Sequence, residues 1–382
     1  MPAKKVDLFY VEAGGGHRSA ANALKAVLDS QGWGWRVRAI NLTPILTPSD
    51  ILKKLTGLGI EDIYNLILEK GWTYGAGQLM KPMHGIIWAL HGKGVGLLER
   101  FWRDDPPDLA VSLIPHFNRV IPEALRRVNP NAPFVTILTD FADIPPRVWI
   151  EPQSQHLICG TDKAVEQAAA FGLHRNVFRV SGMILRPAFY DVKPVNREVE
   201  LEKLGLEPGI PTALVLFGGE GSSAMVEIAR RLRDSGLKLQ LILMYGRSEE
   251  LGRRLAGIGQ GKLRVHIQGF TPDVPRFMQL ADFMIGKPGP GSITEALAMK
   301  LPVIVDLNSW TMPQERYNAH WVMEQGVGLV VKDFRDIAGA VSKLLEPGRL
   351  DEYRARAAAI RNTAVFEIAG ILQRLADGRL AS

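Results

Sequence analysis

The sequence has a single cysteine and no long apolar run. Cys159 cannot form an intrachain disulfide, and a lone thiol argues against a cysteine-based metal cluster, as is typical of a reducing compartment. No uninterrupted apolar run reaches about 18 residues, so the sequence predicts no membrane-spanning helix. The residues after Lys4 and Lys5 alternate in polarity and form no signal-peptide core. These absences predict a cytoplasmic protein.

Composition sets the size of the core and the class of ligand. The chain has 382 residues, of which 46% are hydrophobic, and this favours two domains of ordinary size over one. Its net charge of +6 is compatible with a phosphate-rich ligand or with an anionic membrane surface.

A glycine loop follows the first predicted strand. The apolar run at residues 6–11 predicts that strand, and the Ala- and Leu-rich run at residues 20–28 predicts the helix behind it. Gly14, Gly15 and Gly16 lie between them and allow close approach of the backbone to a ligand. The spacing does not match the glycine fingerprint of dinucleotide-binding proteins, and no acidic residue ends the next strand. Nicotinamide and flavin enzymes are therefore disfavoured.

His17 stands where this loop enters the helix, so its imidazole is predicted to face the ligand. An equally good interpretation is a helix-start histidine bonded to the backbone. Asp140 and Asp143 follow the strand predicted at residues 134–138 and lie at the same edge of the sheet. Either could orient His17 or act as a base, whereas Asp140 could instead cap the next turn.

Residues 47–103 mix aromatic residues with basic ones. Trp72, Trp88 and Trp102 occur there among lysines and arginines, as is typical of a segment that enters the membrane interface without crossing it. The alternative is a helical insertion packed on its own domain, and interspersed acidic residues weaken the electrostatic argument. We predict membrane contact through these three tryptophans.

Strand and helix patterns alternate on both sides of a Pro- and charge-rich stretch. This alternation predicts an α/β fold with parallel sheets in an N-terminal domain at 1–185 and a C-terminal domain at 211–360, joined by a linker at 186–210. The amphipathic residues 353–375 predict one long helix. We expect the chain from about 360 to 382 to pack back on the first domain.

The second predicted domain carries two loops suited to phosphate. Gly218 and Gly219 follow its first strand, and a Pro- and Gly-broken loop at residues 286–291 precedes a helix that Ser292 or Thr294 could cap. Helix starts of this kind bind anions, because free backbone N–H groups and the positive end of the helix dipole face outward. The following helix start is also polar and carries Gln314, Glu315 and Asn318.

Six motifs together resemble the GT-B glycosyltransferases. More narrowly, the chain is similar to the monogalactosyldiacylglycerol synthase group, which is related to the enzyme that adds N-acetylglucosamine to the undecaprenyl-linked peptidoglycan precursor. The resemblance covers most of the chain. It rests on GGGHRSA at 14–20, TDF at 139–141, SGMILRPAF at 181–189, FGGEGS at 217–222, KPGPGSITEAL at 287–297 and PQERYNA at 313–319.

The resemblance implies two Rossmann-like domains facing each other across a cleft, with a UDP-sugar bound mainly by the second. Glu295 would then grip the ribose hydroxyls, since a carboxylate can accept from both hydroxyls of a diol. Backbone around Phe270 would contact the base. The whole implied donor set is Gly218, Gly219, Phe270, Lys287, Gly289, Pro290, Gly291, Ser292, Glu295, Gln314, Glu315 and Asn318.

The first domain would then hold the acceptor, with Gly14, Gly15 and Gly16 as its loop. His17, or His17 together with Asp140, would deprotonate a lipid hydroxyl that attacks the anomeric carbon with inversion. No cofactor and no obligatory metal are expected, because helix dipoles, backbone donors and Lys287 can stabilise the leaving diphosphate and the chain has no Asp-x-Asp pair.

The expected product is a diacylglycerol-type glycolipid, made at the inner face of an anionic membrane by a peripheral enzyme with no nucleic-acid partner. Pro145 and Pro146 stand where the group usually has His-Pro, which leaves the acceptor open. Two other functions remain. A UDP-sugar 2-epimerase shares this architecture, and the chain could instead bind nucleotide-sugar or lipid without catalysis.

Overall fold

The computed structural model describes residues 3–12, 15–46, 90–258 and 263–379. These residues divide into two compact units. The first contains the described residues up to Pro187 together with those from Asn362 onward, and the second contains those from Ala188 to Arg361.

The described strands of the first unit form a six-stranded parallel sheet in the order β2-β1-β3-β4-β5-β6. Helices connect most of these strands, as in a doubly wound α/β fold. The elements are β1 (Lys5–Tyr10), α1 (Gly16–Ser30), β2 (Arg36–Asn41), α2 (Leu42–Leu46), α3 (His91–Trp102), β3 (Leu109–Ser112), α4 (Val120–Val128), β4 (Phe134–Ile137), β5 (His156–Cys159), α5 (Asp162–Ala170) and β6 (Val177–Arg179).

Strand β1 is central in this sheet and is buried from Val6 to Phe9. A strand buried on both faces is apolar throughout, and Asp7 is the exception. The Asp7 carboxylate accepts hydrogen bonds from Arg38 at 2.6 and 2.7 Å and from the indole N–H of Trp102 at 2.8 Å. A buried charge needs such partners, so the hydrogen bond from Trp102 helps to stabilise the buried carboxylate of Asp7.

The prediction that Trp102 contacts a membrane is therefore wrong. Its side chain is fully buried, and its ring meets that of Phe9 edge to face with centroids 5.5 Å apart. Trp72, Trp88 and Gly14 lie outside the described residues. Within the described ranges, no helix is both long and apolar enough to cross a membrane.

The second unit repeats the architecture with its described strands in the parallel order β12-β11-β10-β7-β8-β9. Short 3-10 turns at Pro187–Phe189 and Phe334–Asp336 connect some elements. The elements are α6 (Arg197–Lys203), β7 (Thr212–Leu216), α7 (Ala224–Asp234), β8 (Gln240–Gly246), α8 (Glu249–Ala256), β9 (Arg264–Gly269), α9 (Val274–Leu280), β10 (Phe283–Gly286), α10 (Pro290–Ala298), β11 (Val303–Asp306), α11 (Pro313–Gln325), β12 (Gly328–Val331), α12 (Ile337–Leu344) and α13 (Arg349–Ala359).

Most of the predicted linker at residues 186–210 is integrated into this second unit. Arg197 of α6 donates to the Asp282 carboxylate at 2.8 Å. Glu200 accepts from the Arg276 guanidinium at 2.9 Å, which fixes α6 against α9. The high charge of the segment therefore serves specific ion pairs, and the chain changes unit between Pro187 and Ala188.

The predicted helix at residues 353–375 is two helices. Helix α13 ends at Ala359 in the second unit, and a separate helix, α14 (Ala364–Ala376), follows in the first unit. Helix α14 packs on α1 and buries seven apolar side chains, and Lys4 forms an ion pair with Asp377 at 2.7 Å just beyond it. The end of the chain thus completes the unit in which the chain begins.

Candidate functional site

Helix α1 begins at Gly16 and carries His17 in its first turn. Gly15 is the residue before the helix and has a φ of 77°, a left-handed conformation that glycine adopts without steric cost. Nδ1 of His17 lies 3.1 Å from Oγ1 of Thr139, and its ring centroid lies 6.0 Å from that of Trp149. The imidazole thus lies at the edge of the sheet formed by the carboxyl ends of its strands, next to the loop that follows β4.

Burial lowers the pKa of His17 to about 4, and the backbone carbonyl of Leu113 opposes this shift only in part. Desolvation disfavours the imidazolium ion, so the ring is neutral at neutral pH. A neutral imidazole has one nitrogen with a free lone pair, which can accept a proton. The imidazole of His17 is therefore present in the protonation state that a general base would need.

Asp140 and His17 occupy the same region but have different described hydrogen-bond partners. Oδ2 of Asp140 accepts the indole N–H of Trp149 at 2.9 Å, whereas Thr139 holds Nδ1 of His17. Thr139, which sequence reasoning did not select, is therefore a neighbour that orients this nitrogen. Trp149 is the common neighbour of both predicted catalytic residues.

Asp143 has a structural role and does not orient His17. Its fully buried carboxylate accepts the backbone N–H groups of Arg147, Val148 and Trp149 at 2.8 to 3.0 Å. Burial raises the pKa of Asp143, and these backbone donors oppose that rise. The carboxylate organises the loop that delivers Trp149 to the site.

In the second unit, the first glycine loop is joined to the loop after β8. Gly218 has a φ of 81°, and the carbonyl of Gly219 accepts the N–H of Arg247 at 2.9 Å. A Cβ on Gly246 would overlap that carbonyl, so the two loops can approach only because Gly246 has no side chain. Phe270 follows β9 and is 54% exposed.

Helix α10 begins with free backbone donors. Gly289 precedes the helix and no side chain caps it, so the predicted capping by Ser292 or Thr294 is wrong. Pro290 fills the first position and has no N–H, which leaves Gly291 and Ser292 in the first turn. N–H groups in a first turn have no intrahelical acceptor, and the helix dipole places positive charge there. The arrangement can receive an anionic group.

Several predicted donor residues surround Gly289. Lys287 and Glu315 form an ion pair with Nζ and Oε1 2.7 Å apart. A Cβ on Gly289 would lie 3.7 Å from Oε1 of Glu315 and 3.8 Å from Oγ of Ser292, so these groups are close neighbours. The structure thus brings the carboxylate of Glu315 next to the cation and the helix start, although it lies 28 residues beyond Lys287 in the sequence.

Asn318 is a buried residue that holds the loop next to Lys287, Gly289 and Glu315 in position. Its side chain is fully buried and its amide donates to the carbonyl of Pro288 at 2.8 Å, which fixes the loop before α10. This is a positioning contact of the amide nitrogen, and the predicted ligand contact of Asn318 stays a prediction. Glu295 lies in the sixth position of α10 and Gln314 in the second position of α11, and both are partly exposed.

Asp306 is a neighbouring acid that sequence reasoning missed. Burial raises its pKa to about 6, and the charge of Glu315 adds to the rise. Asn308 donates to Oδ2 of Asp306 at 3.0 Å. Its position at the carboxyl end of β11 was the available signal, because ligands of parallel α/β sheets bind at that end. Across the described ranges, no three His, Cys, Asp or Glu side chains could together hold a metal ion.

Comparison with known families assigns a function to both halves of the chain. Residues 17–185 match the monogalactosyldiacylglycerol (MGDG) synthase family, and residues 212–374 match the glycosyltransferase family 28 C-terminal domain. The chain is 30% identical over 392 residues to a probable chloroplastic monogalactosyldiacylglycerol synthase of Nicotiana tabacum. That match covers 96% of this chain and 70% of the tobacco protein.

Solved structures resemble the fold over nearly its whole length. MurG of Acinetobacter baumannii has a TM-score of 0.63 at 14% identity, covering 97% of this chain and 99% of that one. A putative UDP-N-acetylglucosamine 2-epimerase of Listeria monocytogenes has a TM-score of 0.64 at 13% identity, covering 100% and 97%. These likenesses concern the fold, and they confirm the predicted two-domain GT-B architecture. The chain belongs to the monogalactosyldiacylglycerol synthase family and is a glycosyltransferase.

Proposed function

We propose that the protein is an inverting glycosyltransferase that moves a hexosyl or N-acetylhexosaminyl group from a UDP-sugar to a hydroxyl of a lipid or lipid-linked acceptor. The observation that carries the proposal is the match to a monogalactosyldiacylglycerol synthase over 96% of the chain. A diacylglycerol-type acceptor follows from the name of that relative. The neutral base in the first unit and the anion-binding helix start in the second support the same chemistry.

His17 removes the proton from the acceptor hydroxyl as the oxygen attacks the anomeric carbon. The new carbon–oxygen bond forms while the bond to the diphosphate oxygen breaks, and attack from the opposite face inverts the configuration. Thr139 orients the imidazole of His17, and the low pKa of this ring keeps it unprotonated before the substrate binds. Asp140 is the alternative base and is held by Trp149.

Assigning the general base to His17 or to Asp140 predicts different activities for variants of these two residues. Loss of the general base is expected to lower kcat by about 10²- to 10⁴-fold while donor binding persists. We expect this of His17→Gln, whereas Asp140→Asn retains more activity because it keeps an acceptor for the Trp149 N–H. The reverse order of kcat values would assign the base to Asp140. Intact UDP binding by both variants is the control for folding.

We propose that the donor diphosphate binds at the start of α10, where Gly291 and Ser292 offer N–H groups, and at the Gly218–Gly219 turn. Glu295 holds the ribose, and Gln314 with Glu315 selects the sugar. We propose that these groups suffice without an obligatory metal. Activity unchanged by a chelator agrees with this, whereas loss on chelation and recovery with a divalent cation would contradict it.

Mass spectrometry of products tests the reaction itself. Purified protein is incubated with a panel of UDP-sugars and a total lipid extract, and a sugar-dependent increase of one hexose or N-acetylhexosamine in a lipid product is expected. The second candidate is a UDP-sugar 2-epimerase, favoured by the likeness to the Listeria structure. Isomerisation of the free nucleotide-sugar without any lipid would support that candidate and sink the transferase proposal.

We also propose that the enzyme acts at the inner face of an anionic membrane. The net charge of +6 supports attraction to such a surface. Trp72 and Trp88 remain the predicted contacts, and a paired replacement of both by alanine tests them. Sedimentation with phosphatidylglycerol vesicles, compared with phosphatidylcholine vesicles, is expected to show charge-dependent binding that the double variant loses. Equal binding to both lipids would contradict the proposed electrostatic attraction to an anionic membrane.

A further inference from the structure

Arg247 is a cation at the second site that neither the sequence motifs nor the proposed donor set includes. It follows β8, and its backbone N–H donates to the carbonyl of Gly219 at 2.9 Å. Its guanidinium lies over the ring of Phe270, with Cζ 3.9 Å from the ring centroid. Nη1 pairs with Oε1 of Glu220 at 3.0 Å. One side chain therefore connects the predicted base contact with the predicted diphosphate loop.

The guanidinium lies directly against the glycine turn. A Cβ on Gly219 would be 3.0 Å from Nη1 of Arg247, so a larger residue there would displace the cation. Gly246 is more tightly constrained, because a Cβ on it would overlap the carbonyl of Gly219, which is backbone and cannot move aside as a side chain can. Two glycines on two loops thus fix a positive charge beside backbone that we assign to the diphosphate.

Lys287 and Arg247, the two cations considered for the diphosphate, differ in how firmly their ion pairs are held. Lys287 pairs with Glu315, whose side chain is only 11% exposed, and breaking that pair would leave a largely buried carboxylate without its cation. Arg247 pairs with Glu220, and these side chains are 43% and 64% exposed. An ion pair this exposed contributes little to stability, so Arg247 can change partner at small cost.

We propose that Arg247 binds the diphosphate of the nucleotide-sugar, exchanging Glu220 for phosphate oxygens while it remains stacked on Phe270. This inference rests on the proposed function. The planar guanidinium can donate two parallel hydrogen bonds to a phosphate, which a lysine cannot do. Its charge stabilises the nucleoside diphosphate as the bond to the anomeric carbon breaks and the electron pair moves to the diphosphate oxygen. In this proposal Lys287 orients Glu315 and does not bind the diphosphate itself.

Binding measurements with UDP and with uridine separate this role from a purely structural one. Arg247→Met removes the charge and keeps an apolar side chain over Phe270. We expect the affinity of this variant for UDP to fall by about 10- to 100-fold, as for the loss of hydrogen bonds to a charged group, with uridine affinity nearly unchanged. Glu220→Gln removes the competing carboxylate and is expected to tighten UDP binding by up to about fivefold.

Arg253→Ala is the matched control, because it removes an exposed arginine from the following helix α8 with the same change in charge. It is expected to bind UDP like the wild type. Arg247→Met with wild-type UDP affinity, or with equal losses for UDP and uridine, would overturn the proposal. If the wild type binds none of UDP, GDP, ADP, CDP and dTDP, the proposed donor class is wrong and the role of Arg247 falls with it.

Discussion

The protonation state of His17 gives the sharpest test of the site in the first unit. Burial lowers its pKa from an ordinary 6.5 to about 4. At pH 7 roughly one ring in a thousand is then protonated, whereas at the ordinary pKa about a quarter of the rings would be. A buried neutral base and an exposed histidine thus differ by more than a hundredfold in this population.

The shift also links folding stability to pH. Well above pH 6.5, from about pH 8 upward, the ring is almost wholly neutral in both the folded and the unfolded protein, and the shift costs nothing. As pH falls from 6.5 to 4 the unfolded chain binds a proton that the folded chain does not, so stability decreases. The full shift of about 2.5 pKa units corresponds to at most roughly 3 kcal/mol.

Histidine-selective NMR titration measures the pKa directly. The His17→Gln variant identifies the resonance, which matters because burial also lowers the pKa of His156. We expect a midpoint near 4 in the wild type, and a loss of stability between pH 7 and 4.5 that is roughly 2 to 3 kcal/mol smaller in the variant, measured by urea unfolding. A midpoint at 6 or above, or identical pH dependence of the two proteins, would refute the argument from burial.

Substitutions at three further positions test contacts at and around the sites. Trp102→Phe removes the indole donor to Asp7 and is expected to cost about 1 to 3 kcal/mol in urea unfolding with no change in vesicle binding. Asp143→Ala leaves three backbone donors without their acceptor, which predicts a loss of at least about 3 kcal/mol, and Asp143→Asn is expected to be milder. Lys287→Met leaves Glu315 without its cation and is expected to raise the donor KM by roughly tenfold, measured in steady-state kinetics, whereas an unchanged KM would separate the pair from sugar binding.

The sequence predicted those features that depend on neighbouring residues. The glycine run before α1 and the helix start after Gly289 were visible because loop chemistry and apolar periodicity are local. The break between α13 and α14 was not, because distant residues impose it. Asn362 donates to the carbonyl of Met183 at 2.9 Å, and the N–H of Thr363 donates to Oγ of Ser181 at 2.8 Å. The acceptors, Met183 and Ser181, lie far from residues 353–375 in the sequence, so the pattern of that segment could not reveal them.

The site residues follow the same division. Lys287 and Glu315 could each be selected from a motif, but their pairing joins positions 28 residues apart. Trp102 was misassigned because a tryptophan among basic residues has the same pattern whether it faces lipid or a core, and Asp7 lies 95 residues away. Arg247 follows Gly246 at the end of β8, where its position beside β7 was the missed signal.

The return of α14 to the first unit sets the order in which the protein can be completed. Its five large aliphatic side chains, Val365, Ile368, Ile371, Leu372 and Leu375, are buried, which corresponds to roughly 10 kcal/mol. That is comparable with the whole stability of a domain. During synthesis the sequence of the second unit is therefore complete before α14 has been made, so the first unit cannot complete its fold until the second unit has been translated.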